Sequence, residues 1–301
     1  MQWLAALILA FGSAPAFALQ IFACEPEWAA LAKELTGEQS EVYSATTGTQ
    51  DPHKIQARPS LIAKMRQADL VVCTGADLEA GWLPVLLRKG NNPRVQPGLP
   101  GHFLAAEHVR MKEVPVDVDR SHGDVHAAGN PHIQTDPHNI LAIAEALTER
   151  LKAIDPANAD PYLARHRDFA ARWRAAISRW EQRAAPLRGL PAVSEHRSWV
   201  YLYDWLGMQE VAALEALPGV PPSASHLASV LSGLQRNPAR MIVRAAYQDD
   251  RPSRWLAERS GLPVAELPFT VGGLPGTDDL FSVFDMTIER LLQAMQIGTD
   301  G

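Results

Sequence analysis

The segment from residue 157 to residue 185 constrains the fold more than any other part of the sequence. Large side chains recur there at steps of three and four, which is the spacing of one face of an α-helix. They are Tyr162, His166, Phe169, Trp173, Ile177 and Trp180. Pro186 and Gly189 end the pattern. A helix of this length is about 40 Å long, so it could run the full height of a protein with two lobes.

Short apolar runs alternate with helix-like segments on both sides of this helix. The runs before it are 19–24, 41–46 and 70–73, and those after it are 190–193, 241–245 and 264–267. This alternation favours parallel sheets with helices on both faces. The chain has 301 residues, which is comfortable for two such units. We therefore predict an α/β protein in which two doubly wound lobes, over 19–155 and 188–301, are joined by one long rigid helix over 156–187.

The first 18 residues are typical of a secretory signal peptide. They are apolar, and small residues at Ala16 and Ala18 suit cleavage after Ala18. A membrane anchor is the alternative, but the run is shorter than the roughly 20 residues that a span needs. Lipidation at Cys24 is a second alternative, which the bulky Phe22 two residues earlier disfavours. We expect a secreted protein.

The two cysteines, Cys24 and Cys73, each close a strand-like run. The first and third strands of a doubly wound sheet are often neighbours, and neighbouring strands lie about 4.8 Å apart. That distance permits a disulfide, and a secreted protein meets an oxidising compartment. The direction of the side chains decides between a disulfide and two buried thiols, and the sequence leaves both open.

The charge of the chain argues against nucleic acid as a partner. Thirty-four acidic residues outnumber 28 basic ones, for a formal net charge of −6. Phosphate backbones are bound by basic patches, and none stands out here.

Three histidines are distinguished by their positions. His53 follows the second strand, His132 precedes a helix that starts at Asp136, and His196 directly follows the first strand of the second half. Ligands of open parallel sheets bind beyond the carboxyl ends of the strands. His53 and His196 would thus face one cleft from opposite lobes, and we expect a metal site between the lobes.

Three imidazoles with one further donor form an ordinary tetrahedral zinc site. A hydrolase is a weaker hypothesis, in which Glu195 would act as a base towards a metal-bound water. Motifs for other catalytic sites are absent from the sequence, so we do not expect an enzyme. A carrier of haem or a metal chelate is a third hypothesis, and it would require an apolar cleft.

Several ordered motifs resemble one family, the periplasmic solute-binding proteins that serve ABC importers of zinc, manganese and iron. The resemblance covers nearly all of the mature chain. The motifs are Asp51-Pro52-His53, Ala68-Asp69-Leu70-Val71-Val72, Thr74-Gly75-Ala76-Asp77-Leu78-Glu79, Asn130-Pro131-His132 with Thr135-Asp136-Pro137, His196-Arg197-Ser198-Trp199-Val200-Tyr201-Leu202, Pro222-Ser223 and Tyr247-Gln248.

This resemblance implies that His53, His132 and His196 bind the metal. It also implies that the protein works in the periplasm, where it captures a divalent transition metal and delivers it to an inner-membrane permease with a cytoplasmic ATPase. We expect it to act as a monomer. Three histidines without an obvious carboxylate favour zinc. Manganese or iron is the alternative cargo.

The chain departs from the family pattern where a fourth ligand would be expected. Family members often place a carboxylate after the last strand, whereas the corresponding residues 269–273 contain none. Asp278 or Asp279 could substitute, although acidic residues also stabilise the start of a helix. Zinc members often carry a long histidine-rich loop, of which only His122 and His126 remain. Water, Asp278 or Asp279, and one of these two histidines are the candidates for the fourth position.

Overall fold

The computed structural model describes residues 18–115 and 126–297. The predicted signal peptide therefore lies almost wholly outside the described residues, as does His122. Among the described helices, none is long and apolar enough to cross a membrane.

The N-terminal lobe is built on a parallel sheet in the order β2-β1-β3-β4. Its elements are β1 (Leu19–Ala23), α1 (Pro26–Thr36), β2 (Ser40–Ser44), α2 (Pro59–Gln67), β3 (Leu70–Cys73), α3 (Leu83–Gly90), β4 (His102–Leu104) and α4 (Pro137–Ile154). Every residue of β3 is buried, as expected for a central strand covered by helices on both faces. The predicted parallel sheet is confirmed.

The C-terminal lobe repeats this arrangement in the order β6-β5-β7-β8. Its elements are β5 (Pro191–Ser194), α6 (Val200–Leu206), β6 (Gln209–Ala213), α7 (Ala224–Gly233), β7 (Met241–Ala245), α8 (Arg251–Ser260), β8 (Val264–Leu267) and α9 (Leu280–Ile297). Both sheets place their first strand between the second and the third, which leaves the loops after these strands at one edge of each lobe.

The long helix predicted from the aromatic spacing is α5 (Ala159–Ala184), flanked by short 3-10 turns. It packs against α1 and α4 of the N-terminal lobe and against α9 of the C-terminal lobe. Trp173 and Trp180 are fully buried on this face. Their rings lie 5.5 Å and 5.0 Å from the ring of Phe284 in α9. One helix thus ties both lobes into a shared hydrophobic core.

Cys24 and Cys73 form a disulfide within the N-terminal lobe. Cys24 directly follows β1, Cys73 ends β3, and their Cα atoms are 4.8 Å apart. Both side chains belong to one buried cluster on the same side of the sheet. The sequence had left open whether the two side chains point to the same side.

Candidate metal centre

The backbone at His53 and at His132 is fixed by the same type of side-chain hydrogen bond. In Asp51-Pro52-His53, the Asp51 Oδ1 atom accepts a hydrogen bond of 3.0 Å from the backbone N–H of His53. In Asn130-Pro131-His132, the Asn130 Oδ1 atom accepts one of 3.1 Å from the backbone N–H of His132. Both are turns closed by an Asp or Asn side chain, so each tripeptide fixes the backbone that carries its imidazole.

Asp51 also orients the ring of His53. Its Oδ1 atom lies 2.9 Å from Nδ1 of His53. Burial alone would raise the pKa of Asp51, but hydrogen bonds from His53 and the nearby charges lower it to about 2. The carboxylate therefore stays ionised and accepts the Nδ1–H proton. The opposite ring nitrogen, Nε2, is buried and has no hydrogen-bond partner among the described residues.

His132 is the most deeply buried of the three, at 1% exposure. Burial and the neighbouring histidines lower its pKa well below 6.5, so its ring stays neutral and able to bind a metal. Its loop is tied to the other lobe, because the side-chain amide of Asn130 donates a hydrogen bond of 2.7 Å to the carbonyl of Arg197.

His196 directly follows β5 and enters from the C-terminal lobe. Its Nδ1–H donates to Oε2 of Glu215 at 2.6 Å. Its Nε2 atom lies 3.3 Å from Nε2 of His132. Two nitrogens bound to one tetrahedral zinc ion at about 2.0–2.1 Å would be about 3.3 Å apart, so this separation fits a shared ion.

The structure brings all three predicted histidines together between the lobes. One nitrogen from each lies within 4.8 Å of the others. The ring of His53 is 5.4 Å from that of His132 and 6.0 Å from that of His196. Cys24, Cys73 and Glu79 form another close group, but the disulfide occupies both sulfurs.

Comparison with known proteins identifies the family of the chain. Residues 21–294 match the model of the family described as zinc-uptake complex component A, periplasmic. The chain belongs to this family. It is thus a substrate-binding protein of a metal importer.

Relatives of the chain include carriers named for different metals. It is 22% identical to the manganese ABC transporter substrate-binding lipoprotein PsaA of Streptococcus pneumoniae, over 88% of this chain and 85% of that protein. It is also 22% identical to the zinc-binding lipoprotein AdcA of Streptococcus pneumoniae serotype 4, over 75% of this chain and 44% of the larger protein.

Solved structures confirm the fold. A crystal structure of ZnuA superposes with a TM-score of 0.72 at 20% identity, covering 94% of this chain and 99% of the other. A manganese-bound periplasmic metal-binding protein from candidatus Liberibacter asiaticus superposes with a TM-score of 0.74 at 17% identity, covering 91% and 98%.

Of the candidates for the fourth position, His126 lies beside the three histidines. Its ring is 5.4 Å from that of His53, and it lines a cavity together with His132 and His196. Asp278 is exposed and lies outside the histidine group. Asp279 is also exposed, and its carboxylate accepts a hydrogen bond of 2.7 Å from the backbone of Ser282 at the start of α9.

A group of buried carboxyls lies where the two lobes meet. Glu27 hydrogen-bonds to Thr270 of the C-terminal lobe. Glu79 accepts hydrogen bonds from the backbone of Thr74 and Gly75 at 2.7 and 3.0 Å, and Glu25 accepts one from Thr74 Oγ1 at 3.2 Å. Burial raises the pKa of Glu27 and of Glu79 to about 7, and it raises the pKa of Glu25 as well.

The sequence analysis missed Asp51 and Glu215 as hydrogen-bond partners of His53 and His196. The spacing Asp-Pro-His could have indicated Asp51, because an Asp side chain often bonds to the backbone two residues on. Glu215 lies 19 residues from His196, and its role depends on the pairing of β5 with β6, two strands of which only the first was predicted.

Proposed function

We propose that this protein captures zinc in the periplasm and delivers it to an ABC-type permease driven by a cytoplasmic ATPase. The observation that carries this proposal is the convergence of three imidazoles from both lobes on one point, of which His132 and His196 are buried and His53 is partly buried. Neutral imidazole is a preferred ligand of zinc, whereas manganese prefers more carboxylate oxygen. No carboxylate joins the three histidines in the described group, which supports zinc over manganese.

The test is the affinity for each metal, measured by competition with a chromophoric chelator. We expect His53→Ala, His132→Ala and His196→Ala each to weaken zinc binding by orders of magnitude. His138→Ala is the control, since His138 is half-exposed and pairs with Asp136. If any of the three variants binds zinc within a few-fold of the wild type, that histidine is not a ligand. Tighter binding of manganese than of zinc would refute the choice of cargo.

We also propose His126 as the fourth ligand, because its ring lines the cavity beside the other three. His126→Ala should weaken zinc binding about tenfold or more, or roughly 1.4 kcal/mol. Asp278→Asn and Asp279→Asn are the matched comparisons, and they should bind as the wild type does. Wild-type affinity in all three variants would leave water or His122 as the candidate for the fourth position.

The hydrolase hypothesis is the weaker one. The relatives of the chain are named as substrate-binding and metal-binding proteins, and the sequence carries no further catalytic motif beside Glu195. The location in the periplasm rests on the sequence of residues 1–18 and on the family. Mass spectrometry of the mature chain should find Leu19 at its N-terminus, whereas a lipid-modified Cys24 there would contradict both the cleavage site and the disulfide.

A further inference from the structure

Glu215 makes two contacts with a single carboxylate oxygen. Oε2 accepts the Nδ1–H of His196 at 2.6 Å and the backbone N–H of Gly219 at 2.8 Å. The backbone of Glu215 is itself fixed, because its N–H donates to the carbonyl of Glu195 at 3.0 Å, continuing the pairing of β5 with β6. The side chain therefore links a metal-site imidazole to a loop of the same lobe.

That loop is a tight turn over residues 217–220. The N–H of Val220 donates to the carbonyl of Leu217 at 3.1 Å. Pro218 occupies the second position of the turn, and Gly219 the third, with a φ of 74°. These are the residues and the positive φ of a type II turn. The N–H of Gly219 is left free of the turn's own hydrogen bond and bonds instead to Glu215.

The turn lies between two cavities that both reach the histidines. Pro218 lines a cavity of about 120 Å³ with His126, His132 and His196. Gly219 lines one of about 230 Å³ with His53 and His196. Leu217 and Val220 are nevertheless 38% and 44% exposed. The turn thus joins the metal site to the surface of the protein.

We propose that Glu215 is a positioning residue that aims His196 at the metal and couples metal binding to the order of the turn over 217–220. An imidazole that donates its Nδ1–H to a carboxylate is held in the tautomer whose Nε2 lone pair is free to bind a metal. When His196 binds the ion and becomes fixed, Oε2 of Glu215, which accepts hydrogen bonds from both His196 and Gly219, fixes Gly219 as well. The inference rests on the proposed function, since it requires His196 to be a ligand.

The test uses the mature chain with zinc as the probe. Loss of a carboxylate that orients a metal-binding histidine typically weakens affinity about 10- to 100-fold, and we expect that loss for Glu215→Ala. Glu215→Gln keeps an oxygen that can accept both hydrogen bonds, so it should retain more of the affinity. Glu210→Gln is the matched control, because Glu210 lies on β6 and forms an ion pair with Arg197.

A second readout separates positioning from general stability. Hydrogen exchange at the amide of Gly219 should slow when zinc binds the wild type, and this response should be lost in Glu215→Ala. Nitrogen NMR of the metal-free protein should show His196 protonated at Nδ1 in the wild type, and a mixture of tautomers in Glu215→Ala. Should the Ala variant fail to fold, Glu215→Gln and wild-type exchange still test the idea.

The two hypotheses fail in different ways. If His196→Ala loses zinc but Glu215→Ala binds it within about threefold of the wild type, the positioning role is wrong and the proposed function stands. If zinc leaves the exchange of Gly219 unchanged in the wild type, the coupling to the turn is wrong. If His196→Ala itself binds as the wild type does, the proposed function fails.

Discussion

Removing the Glu27 carboxyl should make the protein more resistant to alkaline conditions. Glu27 is 3% exposed and hydrogen-bonds to Thr270 across the boundary between the lobes. Burial raises its pKa from 4.5 to about 7, so the folded protein holds this proton more tightly than the unfolded chain does. The stabilisation is fully present below pH 4.5 and is lost as the pH rises through about 7.

The size of the effect follows from the shift in pKa. Each unit corresponds to about 1.4 kcal/mol, so the full contribution of Glu27 is about 3 kcal/mol. Most of it, about 2–3 kcal/mol, should be lost between about pH 5 and pH 8. Glu27→Gln does not titrate, and it also removes a charge that raises the pKa of Glu25. The variant should therefore lose less stability over this range than the wild type.

Urea unfolding of the metal-free protein at the two pH values measures this difference. The free energy of unfolding should fall less for Glu27→Gln, by about 2–3 kcal/mol. Glu38→Gln is the control, since Glu38 is exposed, and its profile should follow the wild type. Parallel profiles for Glu27→Gln and the wild type would show that Glu27 is already ionised in the folded protein, and the reasoning from burial would be refuted.

Three further predictions concern the disulfide, the boundary between the lobes and pH. Denatured protein without reductant should contain no free thiol, and two free thiols would contradict the disulfide. The Cys24–Cys73 bond closes a loop of 49 residues, so its reduction should lower the free energy of unfolding by up to about 4 kcal/mol in the chain-entropy estimate. Gly48→Ala should lower the free energy of unfolding by about 1–3 kcal/mol and weaken zinc binding, because the new Cβ would lie 2.4 Å from backbone atoms of the opposite lobe. Gly233→Ala is the control, since the space around Gly233 is open, and it should leave stability and zinc binding unchanged. Equal melting temperatures of the two variants would count against the close contact at Gly48. Zinc affinity should fall as the pH drops through about 6–7, because protonated imidazoles do not bind metals. Burial lowers the pKa of His132, so an NMR titration of the metal-free protein should find this ring still neutral at about pH 6. A titration midpoint at or above 6.5 would contradict the burial of His132.

The sequence was sufficient to predict most of the architecture. Strands buried on both faces appear as short apolar runs, such as Leu70–Cys73, and a helix that packs along one side repeats its aromatic residues at steps of three and four. Both signals are local, so the two parallel sheets and the helix Ala159–Ala184 were predicted. The edge strands His102–Leu104 and Gln209–Ala213 were missed because each is only partly buried. Their pairing with a neighbour, rather than their composition, makes them strands.

The sequence also predicted which three histidines come together, because strand ends and Asx-Pro-His turns are local features. Only the tertiary structure decided which residues distant in the sequence come into contact. Cys24 meets Cys73 because their strands are neighbours and their side chains share a face. His126 lines a cavity together with His132 and His196, whereas Asp278 is exposed just before the last helix. Glu215 reaches His196, and Glu27 becomes buried against Thr270, only through contacts across strands and lobes. Such contacts leave no periodic signal in a single chain, because each depends on how separate elements pack.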